Sequence, residues 1–368
     1  MKIGIYTIHA AYNYGAMFQA YGTQKALSKL GYDNEFINLY TSDYEKKNEN
    51  KFFSLKPKSL LIYIYCRINP KIQLKYKRFR DFHSEMKLSK RYLSLDEIYT
   101  NPPNYDIHLV GSDQVWNLER GVPDPPYYFL DFIGSEKKKI SYASSFGTSQ
   151  VNEKYYKDLK LLLSSFNAIS VREDDGVDIV KEATSIDATQ VLDPTFLLNG
   201  DEWSELSSER IIKQDYILYY GFDNSELSGK LIKNLKKRLN LPVVAISGGI
   251  SFPFKVDNFF QEAGPKEFIN LFKYANFICA SSFHGLAFAI HFRKSFLSIK
   301  HPNRNSRMET VLSKFDLLNR QAVNAEEILE FSDDQLFIDY SKIEDKIEFE
   351  RVRSLNWLKD SLIKVLRE

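Results

Sequence analysis

The chain has 368 residues, with 50 Lys and Arg against 48 Asp and Glu for a formal charge of +2; 43% of residues are apolar and 14% aromatic, and Gly and Pro number only 16 and 12. Such a chain is too apolar and too poor in breakers to be disordered, and it is long enough for about two domains with a core each. The near-zero total argues against a dedicated nucleic-acid binder, and two cysteines, Cys66 and Cys279, exclude a disulfide framework or thiolate-rich zinc site and fit a reducing compartment.

Short apolar runs alternate with amphipathic stretches throughout, the pattern of an α/β chain. Predicted strands are Lys2–Ile8, Asn34–Tyr40, Asp106–Gly111, Lys139–Ser145, Ala168–Arg172 and Gln190–Asp193 in the first half, then Tyr216–Phe222, Pro242–Ser247, Asn276–Ser281 and Ser295–Ile299. Apolar spacings of three and four predict helices at Ala16–Lys29, Glu153–Ser165, Ser225–Leu239, Lys266–Tyr274 and His284–Phe292, and one long amphipathic helix from Tyr340 to Glu368. The Asp193-Pro194 step and the polar stretch after it place a boundary near residue 198. This divides the chain into 1–198, 199–335 and a tail, 336–368, expected to pack back on the first domain. The start, MKIGIYTIHAAYNYGA, lacks the long apolar stretch and cleavage site of a secretory signal. The most apolar run, Leu60–Cys66, falls far short of the ~20 residues of a membrane span. A cytoplasmic location is therefore expected.

One segment breaks the charge balance. Between Lys46 and Arg91 ten Lys and four Arg face only Glu49, Asp81 and Glu85, an excess of +11 that leaves −9 for the remainder. Aromatic residues interleave it (Phe52, Phe53, Tyr63, Tyr65, Tyr76, Phe79, Phe82). Two readings stand: a surface for an anionic partner, namely membrane, lipid-linked substrate or nucleic acid, or a solvated helix pair with its aromatics turned inward.

Polar clusters recur just past the carboxyl ends of predicted strands, the edge that holds ligands in doubly wound sheets. Asn13-Tyr14-Gly15 opens a helix, where free N–H groups can meet an anion or sugar hydroxyl, or where Asn13 is simply the N-cap. Gly111-Ser112-Asp113 brings a carboxylate able to accept a proton, and Trp116 either stacks on a sugar ring or fills the core. Arg172 offers a planar fork to a carboxylate or phosphate, or pairs with a neighbouring acid. Ser281-Ser282-Phe283-His284-Gly285 joins hydroxyls, a helix N-terminus and an imidazole in one turn, while His291 reads as packing. Lys300, His301, Arg304 and Arg307 follow the last long strand and fit no metal motif. P-loop, HExxH, GxSxG and GxGxxG signatures are absent.

Six of these stretches, in order, resemble the polysaccharide pyruvyl transferase family: NYGAMFQAY (Asn13–Tyr21), GSDQVWN (Gly111–Asn117), ISYASSFG (Ile140–Gly147), ISVRE (Ile169–Glu173), LDPTFLL (Leu192–Leu198) and SFHGLAFAI (Ser282–Ile290). The tail with Arg351, Arg353 and Trp357 is similar too. The resemblance implies a GT-B-like fold of two Rossmann-like domains facing across a cleft. It also implies transfer of pyruvate from phosphoenolpyruvate to sugar hydroxyls of a cell-surface polysaccharide or its precursor, as a ketal, with phosphoenolpyruvate as donor substrate and no cofactor. By the same resemblance His284 matches the family's motif His, and Arg172 its donor-binding Arg. Phe283 stands where some members have Arg, and Ser281 where many have Asp. Combined with the strand-end clusters, the expected roles are His284 and Asp113 in catalysis, Arg172, Ser282, Gly285 and Arg307 on the donor, and Asn13, Tyr14, Gly15, Ser112 and Trp116 on the acceptor. The expected partners are a glycan or lipid-linked glycan and, through the basic segment, the inner face of a membrane; no nucleic acid or metal is expected. Two other readings stay open: a GT-B-type glycosyltransferase using a nucleotide-sugar, and a non-catalytic glycan-binding relative.

Overall fold

A computed structural model describes residues 1–39, 57–119, 121–123, 126–221, 226–246, 254–300, 306–322, 324, 326–327 and 330–367. Phe52, Phe53, His301 and Arg304, the start of the basic segment, and the predicted element ends Tyr40, Phe222, Ser225 and Ser247 lie outside them. Contacts divide the chain into two compact units, Met1–Ile68 with His83–Leu197 and Glu350–Glu368, and Asn69–Phe82 with Leu198–Phe349.

In the first unit the strands are β1 (Lys2–Tyr6), β2 (Asp33–Leu39), β3 (Leu88–Tyr92), β4 (Ile107–Val110), β5 (Lys138–Ser144), β6 (Ala168–Val171) and β7 (Thr189–Gln190). They form a seven-stranded sheet in the order β3-β2-β1-β4-β5-β6-β7. Every pairing is parallel, with β1 in register against both β2 and β4. Its helices include α1 (Tyr14–Lys29), α2 (Pro57–Ile68), α4 (Tyr156–Leu163) and α5 (Asp174–Thr184), while α3 (Pro70–Ser84) belongs up to Phe82 to the second unit. Central strands such as β4 are buried along their whole length, as a parallel sheet covered on both faces requires. In α1 a Cβ on Gly22 would lie 2.5 Å from the Pro194 carbonyl oxygen, so only glycine lets this helix seat against the turn Pro194–Leu197.

The second unit contains β8 (Ile217–Tyr220), β9 (Val243–Ile246), β10 (Asn258–Phe259), β11 (Phe277–Ala280), β12 (Ser295–Ile299) and β13 (Gln321–Ala322). They form a six-stranded sheet, β10-β9-β8-β11-β12-β13, again parallel. Its helices include α6 (Glu226–Leu239), α7 (Pro265–Lys273), α8 (Phe283–His291) and α9 (Ser306–Lys314). A final helix, α10 (Glu344–Arg367), begins in the second unit and from Glu350 onward belongs to the first. There Ser354 Oγ accepts from Leu192 N at 2.9 Å, and Arg353 reaches Gln190 O at 2.9 Å.

All ten predicted strands are present within a few residues; β3, β10 and β13 are additional. Part of the basic segment does not lie where the sequence places it. Residues 69–82 belong to the second unit, because Arg78 pairs with Glu267 at 3.2 Å and donates to Glu262 O at 2.9 Å, while Lys71 faces the Glu262 carboxylate at 3.5 Å. The helix pair is real, and Phe79 and Phe82 are buried. Among the described residues no helix is long and apolar enough to cross a membrane.

Gly22→Ala is expected to destabilise the fold by about 1–3 kcal/mol, because a backbone carbonyl cannot move aside as a flexible side chain would. The check is the urea midpoint of the full chain.

Candidate active site

In each sheet the strand order reverses at one point, between β1 and β4 and between β8 and β11. Loops leaving the carboxyl ends on either side of such a reversal part from each other and leave a crevice for ligands. Asn13–Gly15, Ser112–Asp113 and Ser282–Gly285 all sit at these two points.

In the first unit the two flanking loops are stitched together by Gln19, a buried residue of α1. Its amide nitrogen donates to Thr7 Oγ1 at 3.0 Å and Ile8 O at 3.1 Å, and its oxygen accepts from Ser112 N at 3.2 Å. Thr7 in turn donates to Ser112 O at 3.0 Å. The sequence reading missed Gln19, although an amide on the apolar face of a helix was a usable signal. Asn13 is the N-cap of α1, accepting from Ala16 N at 3.1 Å, and it is exposed, so capping and ligand contact are compatible. Tyr14 and Gly15 are buried and offer at most backbone.

Gly111 has φ +112°, and a Cβ there would lie 2.2 Å from Tyr142 O, so only glycine fits. Ser112 is fully buried, its hydroxyl 2.8 Å from Ala143 O and 3.2 Å from Asp193 Oδ2. Asp113, at φ 71°, is held in the left-handed region by its carbonyl, which accepts from Val115 N and Ser145 N at 2.8 and 3.0 Å. Non-glycine residues in this region are uncommon, and such backbone clusters at functional sites. The Asp113 side chain is one-fifth exposed.

Two expected ligand contacts are corrected here. Trp116 is fully buried: its ring stacks on Phe129 at 5.6 Å, Phe166 meets it edge-on at 5.8 Å, and its N–H donates to Tyr128 O at 3.0 Å. It is a core residue with no face for a sugar. Ser112 is likewise enclosed. Arg172 also departs from expectation, being fully buried among three carboxylates: Asp193 at 2.8 Å, Asp113 at 3.6 Å and Glu173 at 4.0 Å. Burial opposes its charge, but Asp193, Asp113 and Glu173 outweigh that and hold the guanidinium more firmly protonated than usual. The fork meets carboxylates of the protein rather than solvent.

A second missed residue is His9, three positions past β1. Its Nε2 lies 3.1 Å from Ile37 O, which fixes the proton there and leaves Nδ1 to accept from His83 Nε2 at 2.9 Å. Burial, followed by the neighbouring His83, pulls the His9 pKa down to about 3, and burial lowers that of His83 as well. Thr7, His9, Ala10, Ile37, Leu39 and Tyr127 line a cavity of about 50 Å³ beside the pair.

In the second unit Ser282 caps α8, its Oγ accepting from Gly285 N at 3.1 Å. His284 is in the first turn, 8% exposed, edge-on to Phe283 at 5.1 Å. A Cβ on Gly285 would come within 2.7 Å of Ala280 Cβ and 2.9 Å of the Tyr220 ring, so glycine draws the helix start down onto β8 and β11. The Tyr220 hydroxyl is hydrogen-bonded to Ser282, and burial pushes its pKa up despite that bond. His291 packs against Phe288 and Trp203. Arg307 is half-buried in the first turn of α9, and Lys300 is paired with Glu309 at 2.8 Å. Among the described residues no cluster of His, Cys, Asp and Glu could hold a metal ion.

The model of the family described as polysaccharide pyruvyl transferase matches residues 13–303, a span that contains the Asn13, Asp113, Arg172 and His284 clusters and ends short of Arg307. The chain belongs to that family. It is a transferase on that ground, and polysaccharide-related acceptors fit the family. No curated protein matches the sequence. Among solved structures, UDP-GlcNAc 2-epimerase from Neisseria meningitidis bound to UDP-GlcNAc matches with a TM-score of 0.50 at 10% identity, over 99% of this chain and 100% of that one. The Methanocaldococcus jannaschii UDP-GlcNAc 2-epimerase gives 0.46 at 10% identity over 90% and 91%, and an alpha-glucosyltransferase in complex with UDP and DNA gives 0.49 at 9% over 100% and 95%. The first of these establishes a GT-B-like fold: two Rossmann-like α/β domains built on parallel sheets, with a long C-terminal helix.

Arg172→Met would leave three buried carboxylates without their shared cation, and a loss of about 3–5 kcal/mol is expected in urea denaturation. A separate test concerns pH. The folded pKa values of His9 and His83 lie below the unfolded value, so the folded state binds fewer protons. Stability from this pair is complete above about pH 6.5 and is lost as pH falls toward the folded values. His9→Gln should flatten the decline in urea midpoint between pH 7 and pH 4.5, each protein being referred to its own value at pH 7.

Proposed function

We propose that this transferase moves the pyruvate unit of phosphoenolpyruvate onto two hydroxyls of a polysaccharide, or of its glycan or lipid-linked precursor, as a cyclic ketal. The observation that carries this reading is His284 in the first turn of a serine-capped helix, at the reversal point of the second sheet. A donor with a carboxylate and a phosphate needs a positive helix end, and an enol phosphate needs a proton at its methylene carbon. The start of α8 supplies the first and His284 the second. Arg307, in the first turn of the neighbouring α9, is assigned to the donor phosphate or carboxylate; Ser282 and Gly285 act by building and seating the turn.

In the first unit Asp113 is assigned as base for an attacking hydroxyl, with Asn13 on the acceptor. Arg172, enclosed as it is, is assigned to positioning Asp113 rather than to the donor. The steps balance as follows. His284 gives a proton to the methylene carbon, making it a methyl group. One acceptor hydroxyl forms a C–O bond to the adjacent carbon and loses its proton to Asp113. A second hydroxyl closes the ketal as the C–O bond to phosphate breaks, and its proton leaves with inorganic phosphate. No redox or group-carrying cofactor is needed for this sequence, and the donor assigns the protein to the cytoplasm.

The test is incorporation of label from phosphoenolpyruvate into a panel of cell-surface glycan precursors. Turnover is expected to fall about 100-fold or more in His284→Ala and in Asp113→Asn. Wild-type turnover in both variants would sink the assignment of these residues. A thermal shift with phosphoenolpyruvate but none with nucleotide-sugars is expected for the wild type; the reverse would favour a glycosyltransferase.

A further inference from the structure

The helix α2 presents its apolar residues to water. Leu60, Leu61, Ile64, Tyr65 and Ile68 are exposed, Leu61 to 68% and Ile68 to 73%, whereas Cys66 is buried. At ~100° per residue the five fall within an arc of roughly 140°, one continuous face, with Cys66 on the other side. Single exposed apolar residues are ordinary, but a contiguous apolar face on a helix marks an interaction surface. At 12 residues α2 is about 18 Å long, too short for the ~30 Å hydrocarbon core, so it can lie in an interface but not span it.

The charge around this face specifies what it meets. In sequence, residues 46–67 contain six Lys and Arg and a single Glu. Arg67 is on α2 itself and exposed, and the helix carries two tyrosines, Tyr63 and Tyr65, of the aromatic type enriched where hydrocarbon meets headgroups. A second copy of the chain would bring the same positive segment against itself, whereas an anionic lipid surface answers both the apolar face and the charge.

We propose that α2 is a membrane-interface helix that seats the first unit on an anionic bilayer, with its apolar face at the acyl boundary and Arg67 on lipid phosphate. Neither signal is sufficient alone: a short apolar face binds weakly and a basic segment is screened by salt, so the binding depends on both. This inference is independent of the donor chemistry and does not fall with it.

The experiment is co-sedimentation of the full chain with vesicles of phosphatidylcholine, with and without phosphatidylglycerol, at low and high salt. Wild-type protein should pellet with phosphatidylglycerol vesicles at low salt and much less at high salt or with phosphatidylcholine alone. Leu61→Glu combined with Ile68→Glu should lower the partition coefficient by about tenfold or more. Leu61→Ser combined with Ile68→Ser, a milder change at exposed positions, serves as a second variant if the first fails to fold. Absence of wild-type pelleting at low salt, or wild-type binding by the folded variants, overturns the proposal. So does sedimentation velocity showing a dimer that the variants dissociate, without vesicle binding, which would make the face a self-association surface.

Discussion

One guanidinium with no access to water holds the carboxyl edge of the first sheet together. Arg172, the residue after β6, reaches Asp193 beyond β7, Asp113 beyond β4 and Glu173 in its own turn. Three carboxylates around one cation would leave a buried excess of negative charge if nothing else answered it. Backbone dipoles do: Glu173 Oε1 accepts from Phe146 N and Gly147 N at 2.9 and 3.1 Å, and Asp193 Oδ1 accepts from Thr195 N at 3.0 Å. The loops after β4, β5, β6 and β7 are thereby locked to one another. Asp113 is the one carboxylate of the set with a face to solvent, so the group best able to do chemistry is oriented by groups that cannot.

The second sheet meets the same demand by close packing rather than charge. A Cβ on Gly221 would lie 2.3 Å from Ser281 Oγ, and one on Gly285 would strike Ala280 and Tyr220. The ends of β8 and β11 are therefore as near as backbone allows, and α8 starts almost on top of them. This difference fits the assigned roles. A base needs a fixed neighbour of opposite charge, whereas an anion site needs unencumbered N–H groups and the positive end of a helix.

Much of the fold was legible in the sequence because β-branched and aromatic runs bounded by Gly, Pro, Asn and Asp are what fully buried parallel strands require. β3, with the sequence LSKRY, is a half-exposed edge strand without that signature, and β10 and β13 are two residues each, too short for any periodicity. The reversal-point loops were legible as strand-end clusters, but the burial of their members was not. A strand-end Arg looks the same whether it faces a ligand or carboxylates brought in from loops 21 and 59 residues away, and only the tertiary structure decides. Trp116 was ambiguous for the same reason. Gln19 and His9 went unread because each takes its meaning from residues distant in sequence: Ser112 for one, His83 for the other.

The near-zero charge of the chain has a structural account. Part of the basic segment is spent internally, where Lys71 and Arg78 face Glu262 and Glu267 in the second unit, and part precedes α2 in sequence. The segment leaves the first sheet at the carboxyl end of β2 and is tied back to the carboxyl end of β1 by the His83–His9 bond. Both of its attachments are thus on the edge that carries Asn13 and Asp113. An apolar stripe between those attachments is consistent with the proposed seating of the first unit on a membrane. The transfer free energy of five large apolar side chains favours covering such a stripe, which is what the proposed membrane seating does.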